Sequence, residues 1–298
     1  MSSNFVIMGL PASGKTTFLA ALWHLVEAGE TDCLLKLDGY QGDLQYLNLI
    51  ARAWRTFQPV PRTSQVGDKN VSIMLRNCKT SVPSTVFFPD LAGETFDRQV
   101  EERRCRTEFV EGFVEEDGIL FFINADVKED CLSIDEFNSR MPSTDELEVT
   151  RAEVSVNTDN LEAEGATALL REWEPKLLPA QVKIVQLLSD LVRPPFAPRS
   201  RRVAVLISAW DLTRNMSLTP TQWLAANMPL VEQFLRANSN FFEHQVYGVS
   251  AQGVDLKDDS AVDEVAKLTP SRRIQIVGPE GEGHDLTEPL VWLMSGDE

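Results

Sequence analysis

An eight-residue segment near the start of the chain has the residue types and spacing of a phosphate-binding loop. It runs Gly9-Leu-Pro-Ala-Ser-Gly-Lys15-Thr16 and fits the pattern G-x-x-x-x-G-K-[ST]. Glycines let the backbone curl so that successive N–H groups converge on phosphate oxygens, and the following helix adds its positive N-terminal end. Lys15 would reach the β- and γ-phosphates, and the Thr16 hydroxyl would ligate magnesium. The predicted phosphate-binding residues are Gly9, Ala12, Ser13, Gly14, Lys15, Thr16 and Thr17.

A second motif follows an apolar run further along the chain. Phe87-Phe88-Pro89 leads into Asp90-Leu-Ala-Gly93-Glu94. A P-loop protein uses an aspartate at such a strand end to hold magnesium from across the sheet. A glycine N–H three residues later can bond the γ-phosphate, so this loop would sense whether that phosphate is present. We therefore expect Asp90 and Gly93 to lie beside the first loop.

The elements that must position these motifs alternate between strand and helix. The order at the start is a strand at 5–8, the loop, and a helix at 16–26. Further strands are expected at 71–77, 84–88, 119–123, 203–207, 246–249 and 274–277. Helices are expected at 38–57, at 161–192 with interruptions at Pro175 and Pro179, and at 286–294. This alternation predicts an α/β fold with a mostly parallel sheet.

Charge and composition exclude several classes of protein. The chain has 298 residues and a formal net charge of −17, whereas nucleic acids and anionic membranes bind basic faces. Residues 101–164 carry 19 acidic residues against six Lys and Arg. The four cysteines are scattered, which indicates neither a disulfide framework nor a zinc site. Because no apolar run has the length of a membrane span and the N-terminus lacks the pattern of a signal peptide, we expect a cytoplasmic protein.

In these two motifs the chain resembles the GTPases of the TRAFAC (Ras-like) class. Their guanine box, Asn/Thr-Lys-x-Asp, corresponds to Ser208-Ala209-Trp-Asp211 after the apolar run VAVLI, with serine for the asparagine and alanine for the lysine. The resemblance implies that Asp211 accepts hydrogen bonds from N1–H and N2–H₂ of guanine, a pair of donors that adenine lacks. Alternatively, Asp211 only caps the helix that follows the strand. The last box corresponds to Ser250-Ala251-Gln, where the Ala251 N–H would meet the guanine carbonyl.

The resemblance also implies a threonine that ligates magnesium and senses the γ-phosphate. Thr63, in the loop PVPRTSQVG, fits this role better than Thr56 or Thr80. Its neighbour Arg62 is either an arginine finger or a solvated loop residue. Glu94 stands where Ras-like enzymes have a water-orienting glutamine. Because a carboxylate accepts from water but repels the γ-phosphate, the substitution predicts slow or partner-dependent hydrolysis.

Three further features resemble a bacterial double-GTPase group. They are the tryptophan-containing helix before Pro-x-Pro-Arg-Thr, the Ser-Ala-Trp-Asp box and the final segment GHDLTEPLVWL. Such proteins are thought to work beside a second GTPase in bacterial conflict or signalling systems. The resemblance implies a three-layer P-loop NTPase fold with a helical insertion. Residues 1–127 and 201–298 would form the GTPase domain, and 128–200 an acidic insertion.

These features give one leading function and two alternatives. The leading function is a GTP-binding switch that hydrolyses GTP slowly, with GTP or GDP and Mg²⁺ as ligands. Lys15, Thr63 and Glu94 would be its catalytic residues, and Thr16, Thr63 and Asp90 its metal ligands. The alternatives are a nucleotide-binding scaffold without turnover, and an ATPase or small-molecule kinase. The acidic stretch is either a docking surface for a basic protein partner or a solvated surface.

Overall fold

The computed structural model describes residues 3–61, 71–88, 93–105, 107–112, 118–126 and 178–295. The chain divides into two units, of which the first comprises Met1–Val127 and Ala180–Glu298 and the second Lys128–Pro179. All but the last two residues of the second unit lie outside the described ranges. The description below therefore concerns the first unit.

A mixed sheet forms the centre of the described part of the chain. Its nine strands follow the order β2-β3-β4-β1-β5-β6-β7-β8-β9. Their bounds are β1 Ser3–Gly9, β2 Leu35–Gln41, β3 Val71–Asn77, β4 Pro83–Phe88, β5 Gly118–Asn124, β6 Arg201–Ser208, β7 Phe242–Ser250, β8 Gln275–Gly278 and β9 Gly281–Gly283. All seven predicted strands are present, one before the phosphate-binding loop and six after it.

The sheet is less parallel than the alternation of elements suggested. The five central strands, β4-β1-β5-β6-β7, pair in parallel. Strands β2 and β3 on one side and β8 and β9 on the other pair antiparallel. Short connections explain two of these pairs, because β3 joins β4 and β8 joins β9 through segments too short for a parallel crossover.

Eleven helical segments are present in the described ranges. The α-helices are α1 Lys15–Ala28, α2 Leu44–Arg55, α3 Gly93–Glu102, α4 Thr107–Gly112, α5 Ala180–Asp190, α6 Pro220–Asn227, α7 Pro229–Ala237, α8 Asp259–Val265, α9 Pro270–Arg273 and α10 Glu288–Met294, and a 3₁₀ helix spans Trp210–Met216. Helix α1 and helix α10 confirm the predicted first and last helices. Of the helix predicted at 161–192, the part up to residue 177 lies outside the described residues. Helix α5 lies in the part that the structure describes.

The helix predicted at 38–57 is wrong in its first part. Residues Leu35–Gln41 form strand β2, in which buried Leu35 and half-buried Leu37 alternate with exposed residues. Helix α2 begins only at Leu44, because the Asp43 carboxylate accepts a hydrogen bond from the Tyr46 N–H at 3.0 Å and caps the helix. The helical spacing of the later apolar residues was correct, but period-2 alternation before them was overlooked.

One face of the sheet packs against α1, α2 and α10 in a single apolar cluster. Phe5, Ile7 and Phe122 contribute from the central strands, and Trp54 from α2 is fully buried there. This packing fixes α1 under the carboxyl ends of the strands, where the predicted motifs lie. None of the described helices is long and apolar enough to cross a membrane.

Candidate functional site

The phosphate-binding loop connects β1 to α1 and has an unusual backbone. Gly9 has φ +148°, and a side chain there would press within 2.7 Å of the Phe122 carbonyl oxygen. Gly14 has φ +86°, and a methyl group there would lie 2.7 Å from Cβ of Ser208. Ala12 is also left-handed, with φ +56°. The two glycines of the motif are therefore required by both conformation and space.

Lys15 points back into the loop that precedes it. Its Nζ donates to the carbonyl oxygens of Gly9 at 2.7 Å and Leu10 at 2.8 Å, and to Ser13 Oγ at 3.1 Å. Burial lowers the pKa of Lys15 to about 7, although the nearby Asp97 carboxylate opposes the shift. The Lys15 amine thus lies inside the phosphate-binding loop, bonded to its backbone carbonyl oxygens and to the Ser13 hydroxyl.

Helix α3 lies beside this lysine. The Phe96 ring has its centroid 5.9 Å from Lys15 Nζ, and Asp97 accepts a hydrogen bond from Lys183 of α5 at 2.9 Å. Lys183 is almost completely buried, whereas the Asp97 side chain is 28% exposed, so this ion pair is only partly shielded from solvent. The helix that follows the second motif is therefore linked to the phosphate-binding loop on one side and to α5 on the other.

Asn124 is a structural residue of the loop that sequence reasoning missed. It ends β5, and its Nδ2 donates to the Ala12 carbonyl oxygen at 2.9 Å. Its Oδ1 accepts from the Asp126 N–H at 2.9 Å. The signal was present, since Asn124 is the first polar residue after the apolar run ILFFI, at the same sheet edge as the loop.

The loop after β6 lies against the phosphate-binding loop. A Cβ atom added at Gly14 would lie closest to the Ser208 side chain. Ala209 has a left-handed backbone with φ +54° and precedes the 3₁₀ helix. The Trp210 ring packs over Gly248 of β7 and against Trp223 at 6.5 Å between ring centroids. Trp210 is therefore a core residue that anchors the turn.

Asp211 is held by the loop that follows β7. Ser250 Oγ donates to Asp211 Oδ1 in a short hydrogen bond, and the same hydroxyl accepts from the Gly253 N–H at 3.1 Å. Ser250 is buried. The carboxylate thus has one oxygen fixed by protein, and its rotation is restricted.

Trp54 of α2 holds the next residue of this loop. Its Nε1–H donates to the Ala251 carbonyl oxygen at 2.9 Å, and Gln252 Nε2 donates back to the Trp54 carbonyl oxygen at 3.2 Å. Trp54 and Ala251 are 197 positions apart in the sequence. No local pattern could have indicated this pairing.

A cavity of about 390 Å³ joins the two predicted halves of the site. Its lining includes Gly14 and Thr17 from the phosphate side and Asp211, Ser250 and Ala251 from the other side. The size and the few convergent polar groups are typical of a small-molecule site. The lining also includes Gln58 and Val60, which follow α2 and precede the segment that contains Thr63.

Several predicted residues cannot be placed in this geometry. Thr63, Asp90 and the neighbouring Arg62 lie outside the described residues. Gly93 and Glu94 form the start of α3. In the described ranges no cluster of three or more His, Cys, Asp or Glu side chains could hold a metal ion.

The arrangement defines a class of protein. A strand, a glycine-containing loop with an inward lysine and a helix, at the carboxyl ends of parallel strands, form a P-loop nucleotide-binding site. A family model of Double-GTPase 1 matches residues 6–293, and the chain therefore belongs to this family. Membership confirms the resemblance to P-loop GTPases and to the double-GTPase group, and it supports binding of GTP.

Solved structures of GTPase domains are also similar. The GTPase-like domain of Ski7 from S. cerevisiae, bound to GTP, is 11% identical with a TM-score of 0.40, and the match covers 85% of this chain and 43% of that one. Nucleolar GTP-binding protein 1 from Plasmodium falciparum is 10% identical with a TM-score of 0.30 over 91% and 86% of the two chains. The chain thus spans less than half the length of the Ski7 structure. No curated protein matches it significantly.

Proposed function

We propose that the protein is a GTP-binding molecular switch that hydrolyses GTP slowly. The observation that carries this proposal is the single cavity lined by both Gly14 of the phosphate-binding loop and Asp211 beyond β6. A nucleotide in it would place its phosphates at Lys15 and its base at Asp211. Loss of the γ-phosphate would release the loops around Thr63 and Gly93 and change the surface offered to partners.

We infer that guanine is the base that binds in this cavity. An ionised carboxylate only accepts hydrogen bonds, and guanine presents two adjacent donors on one edge whereas adenine does not. Ser250 occupies one side of Asp211 Oδ1 and leaves acceptor capacity on the carboxylate. The Ala251 backbone N–H would complete the recognition at the guanine carbonyl. These contacts favour a GTPase over the ATPase or kinase alternative.

Calorimetric titration of the purified chain with GDP and ADP tests this assignment. We expect GDP to bind at least 100-fold more tightly than ADP, and Asp211→Asn to remove most of this preference. The identity of the nucleotide that co-purifies with the chain provides an independent measurement. Equal affinity for GDP and ADP in the parent protein would overturn the guanine assignment.

Magnesium is part of the proposal, and the expected ligands suit it. Thr16, Thr63 and Asp90 are hydroxyl and carboxylate oxygens, which are the hard donors that Mg²⁺ prefers. Bound magnesium would neutralise charge on the β- and γ-phosphates. Lys15 would bind the same phosphates, and Glu94 would orient the attacking water.

Single-turnover hydrolysis separates the switch from a non-hydrolysing scaffold. Glu94 motivates the comparison, because a carboxylate near the γ-phosphate repels it. We expect slow release of phosphate by the purified protein, and faster release after Glu94→Gln. Absence of phosphate release, alone and with a partner protein, would leave the scaffold as the function.

The wider setting follows from the family and the charge. We infer a three-layer P-loop fold in which residues 128–200 form an acidic, helical insertion between the two parts of the GTPase domain. The protein would act in the bacterial cytoplasm beside a second GTPase in a signalling or defence system. Its acidic stretch would bind a basic face of a protein partner.

A further inference from the structure

The loop after β7 contains the Ala251 N–H, which would bind the guanine carbonyl, and it has two separate anchors. Ser250 forms the first by bonding Asp211 and the Gly253 N–H. Trp54 forms the second by bonding the Ala251 carbonyl oxygen. The Trp54 side chain does not line the cavity, whereas Ala251 and Gln252 do. Trp54 is therefore connected to these two lining residues by hydrogen bonds to this loop.

Trp54 is itself rigidly held. Its ring is fully buried, with its centroid 5.2 Å from that of the His24 ring and 4.6 Å from the Arg273 guanidinium. The same guanidinium stacks on Phe57 at 4.3 Å. A buried donor packed against both groups can hold its acceptor in one orientation, because rotation of the indole would break this packing.

The hydrogen bond fixes a particular peptide group. The Ala251 carbonyl belongs to the peptide plane that it shares with the Gln252 N–H, so turning the carbonyl toward Trp54 turns that N–H away from it. The return bond from Gln252 Nε2 to the Trp54 carbonyl holds the next residue against the end of α2. Together the two bonds prevent the loop from rotating about its own axis.

We propose that Trp54 is a positioning residue for guanine recognition, which acts by fixing the loop Ser250–Gln252 through the bond from its indole N–H to the Ala251 carbonyl. The proposal rests on the proposed function, because it assumes that this loop reads guanine. It assigns a role in specificity to the tryptophan of α2, which the sequence marked only as a feature of the double-GTPase group. It also links the base-reading loop to the segment that passes Gln58 and Val60 on its way to Thr63.

The test compares base-dependent and base-independent binding in Trp54→Phe. Phenylalanine keeps an aromatic ring but removes the N–H donor. Affinities for GDP, ADP and inorganic pyrophosphate are measured by calorimetry at one pH and salt concentration. We expect GDP to bind about tenfold more weakly, as for loss of one positioned hydrogen bond, and ADP and pyrophosphate to bind as in the parent protein.

Trp23→Phe is the matched control. Trp23 is also a buried tryptophan whose Nε1–H has a single protein acceptor, Asn48 Oδ1 at 3.3 Å, but it makes no bond to the base-reading loop. This variant should lose similar thermal stability and keep the parent's preference for GDP. Replacement of Trp54 by 3-benzothienylalanine, which keeps the bicyclic shape and lacks the N–H, repeats the test if the phenylalanine variant does not fold.

The outcomes separate this proposal from the function on which it rests. A parent protein without preference for GDP over ADP contradicts the guanine assignment itself. If the parent prefers GDP, an unchanged preference in the Trp54 variants overturns the positioning role. An equal weakening of GDP and pyrophosphate overturns it as well, because that result indicates only a structural role for the ring.

Discussion

The two ends of the cavity are built in different ways. The phosphate end is one continuous segment, Gly9–Thr16, whose backbone groups converge and whose lysine folds back onto the loop. The base end combines the turn after β6, the loop after β7 and Trp54 of α2, which side-chain hydrogen bonds hold together. The first depends on local conformation, and the second on contacts between distant parts of the chain.

This difference indicates what each end can tolerate. A backbone loop binds any polyphosphate and fails when its conformation or its one cation is lost. An assembly of side chains distinguishes bases and can lose one anchor while the others remain. We therefore expect substitutions at the phosphate end to abolish binding of all nucleotides, and those at the base end to reduce selectivity. The following predictions test that contrast.

Lys15→Ala should have the largest effect on binding. Removing the ammonium deletes charge-assisted hydrogen bonds to the phosphates, so the affinities for GDP, ADP and pyrophosphate should each fall about 100-fold or more. Calorimetry with the three ligands measures this. Lys36→Ala, at an exposed position on β2, is the control and should bind as the parent does. Retention of pyrophosphate binding by the Lys15 variant would contradict the assignment of the phosphate end.

Gly14→Ala should destabilise the contact between the phosphate-binding loop and Ser208 at the end of β6. The methyl group would require both a strained left-handed backbone and displacement of Ser208, so we expect a loss of about 3 kcal/mol in the free energy of unfolding. Gly29→Ala at the other end of α1 is the control, with φ +60° and no atom within 4 Å of the added Cβ. It should lose only about 1 kcal/mol. Denaturant unfolding measures both, and equal losses would contradict the steric argument.

The protonation of Lys15 should make phosphate binding depend on pH. The pKa of this buried lysine is about 7 in the free protein, and a bound polyphosphate favours the charged form. Above pH 7, binding must therefore take up a proton, and pyrophosphate affinity should fall roughly tenfold between about pH 7 and 8.5. Lys15→Arg should show a flat profile at whatever affinity it retains, because guanidinium stays protonated. A flat profile in the parent would show that Lys15 remains charged throughout.

Ser250→Ala should have the smallest effect of the predicted changes, and it should weaken binding of the base without weakening binding of the phosphates. It removes the donor to Asp211 and the acceptor of the Gly253 N–H, so GDP affinity should fall about fivefold while pyrophosphate affinity stays constant. Ser84→Ala serves as the control, because the Ser84 hydroxyl is buried with no hydrogen-bond partner in the described structure. A parallel loss of pyrophosphate affinity would contradict the separation of the two ends.

The same contrast explains what the sequence could reveal. The phosphate-binding loop, its strand and its helix were predictable because the glycines, Lys15 and the apolar run are neighbours in the chain. The bond between Trp54 and Ala251 was not, since it joins residues 197 positions apart. For Asn124 the sequence indicated the sheet edge at which it lies, but not its bond to Ala12, which is 112 positions away. Strand β2 was missed for a different reason, because its weak alternation runs directly into the stronger helical pattern of α2.

The parallel arrangement of the central strands has a consequence for distance. The two cavity ends stand on β1, β6 and β7, which lie in the sheet order β1-β5-β6-β7. Neighbouring strands are spaced about 4.8 Å apart, so β1 lies about 10 Å from β6 and about 14 Å from β7. The connection between β5 and β6 contains Lys128–Pro179, yet these strands remain paired along their whole length. Hydrogen bonding between strands therefore sets the spacing of the strand ends on which the two cavity ends stand, and this connection can change in size without altering it.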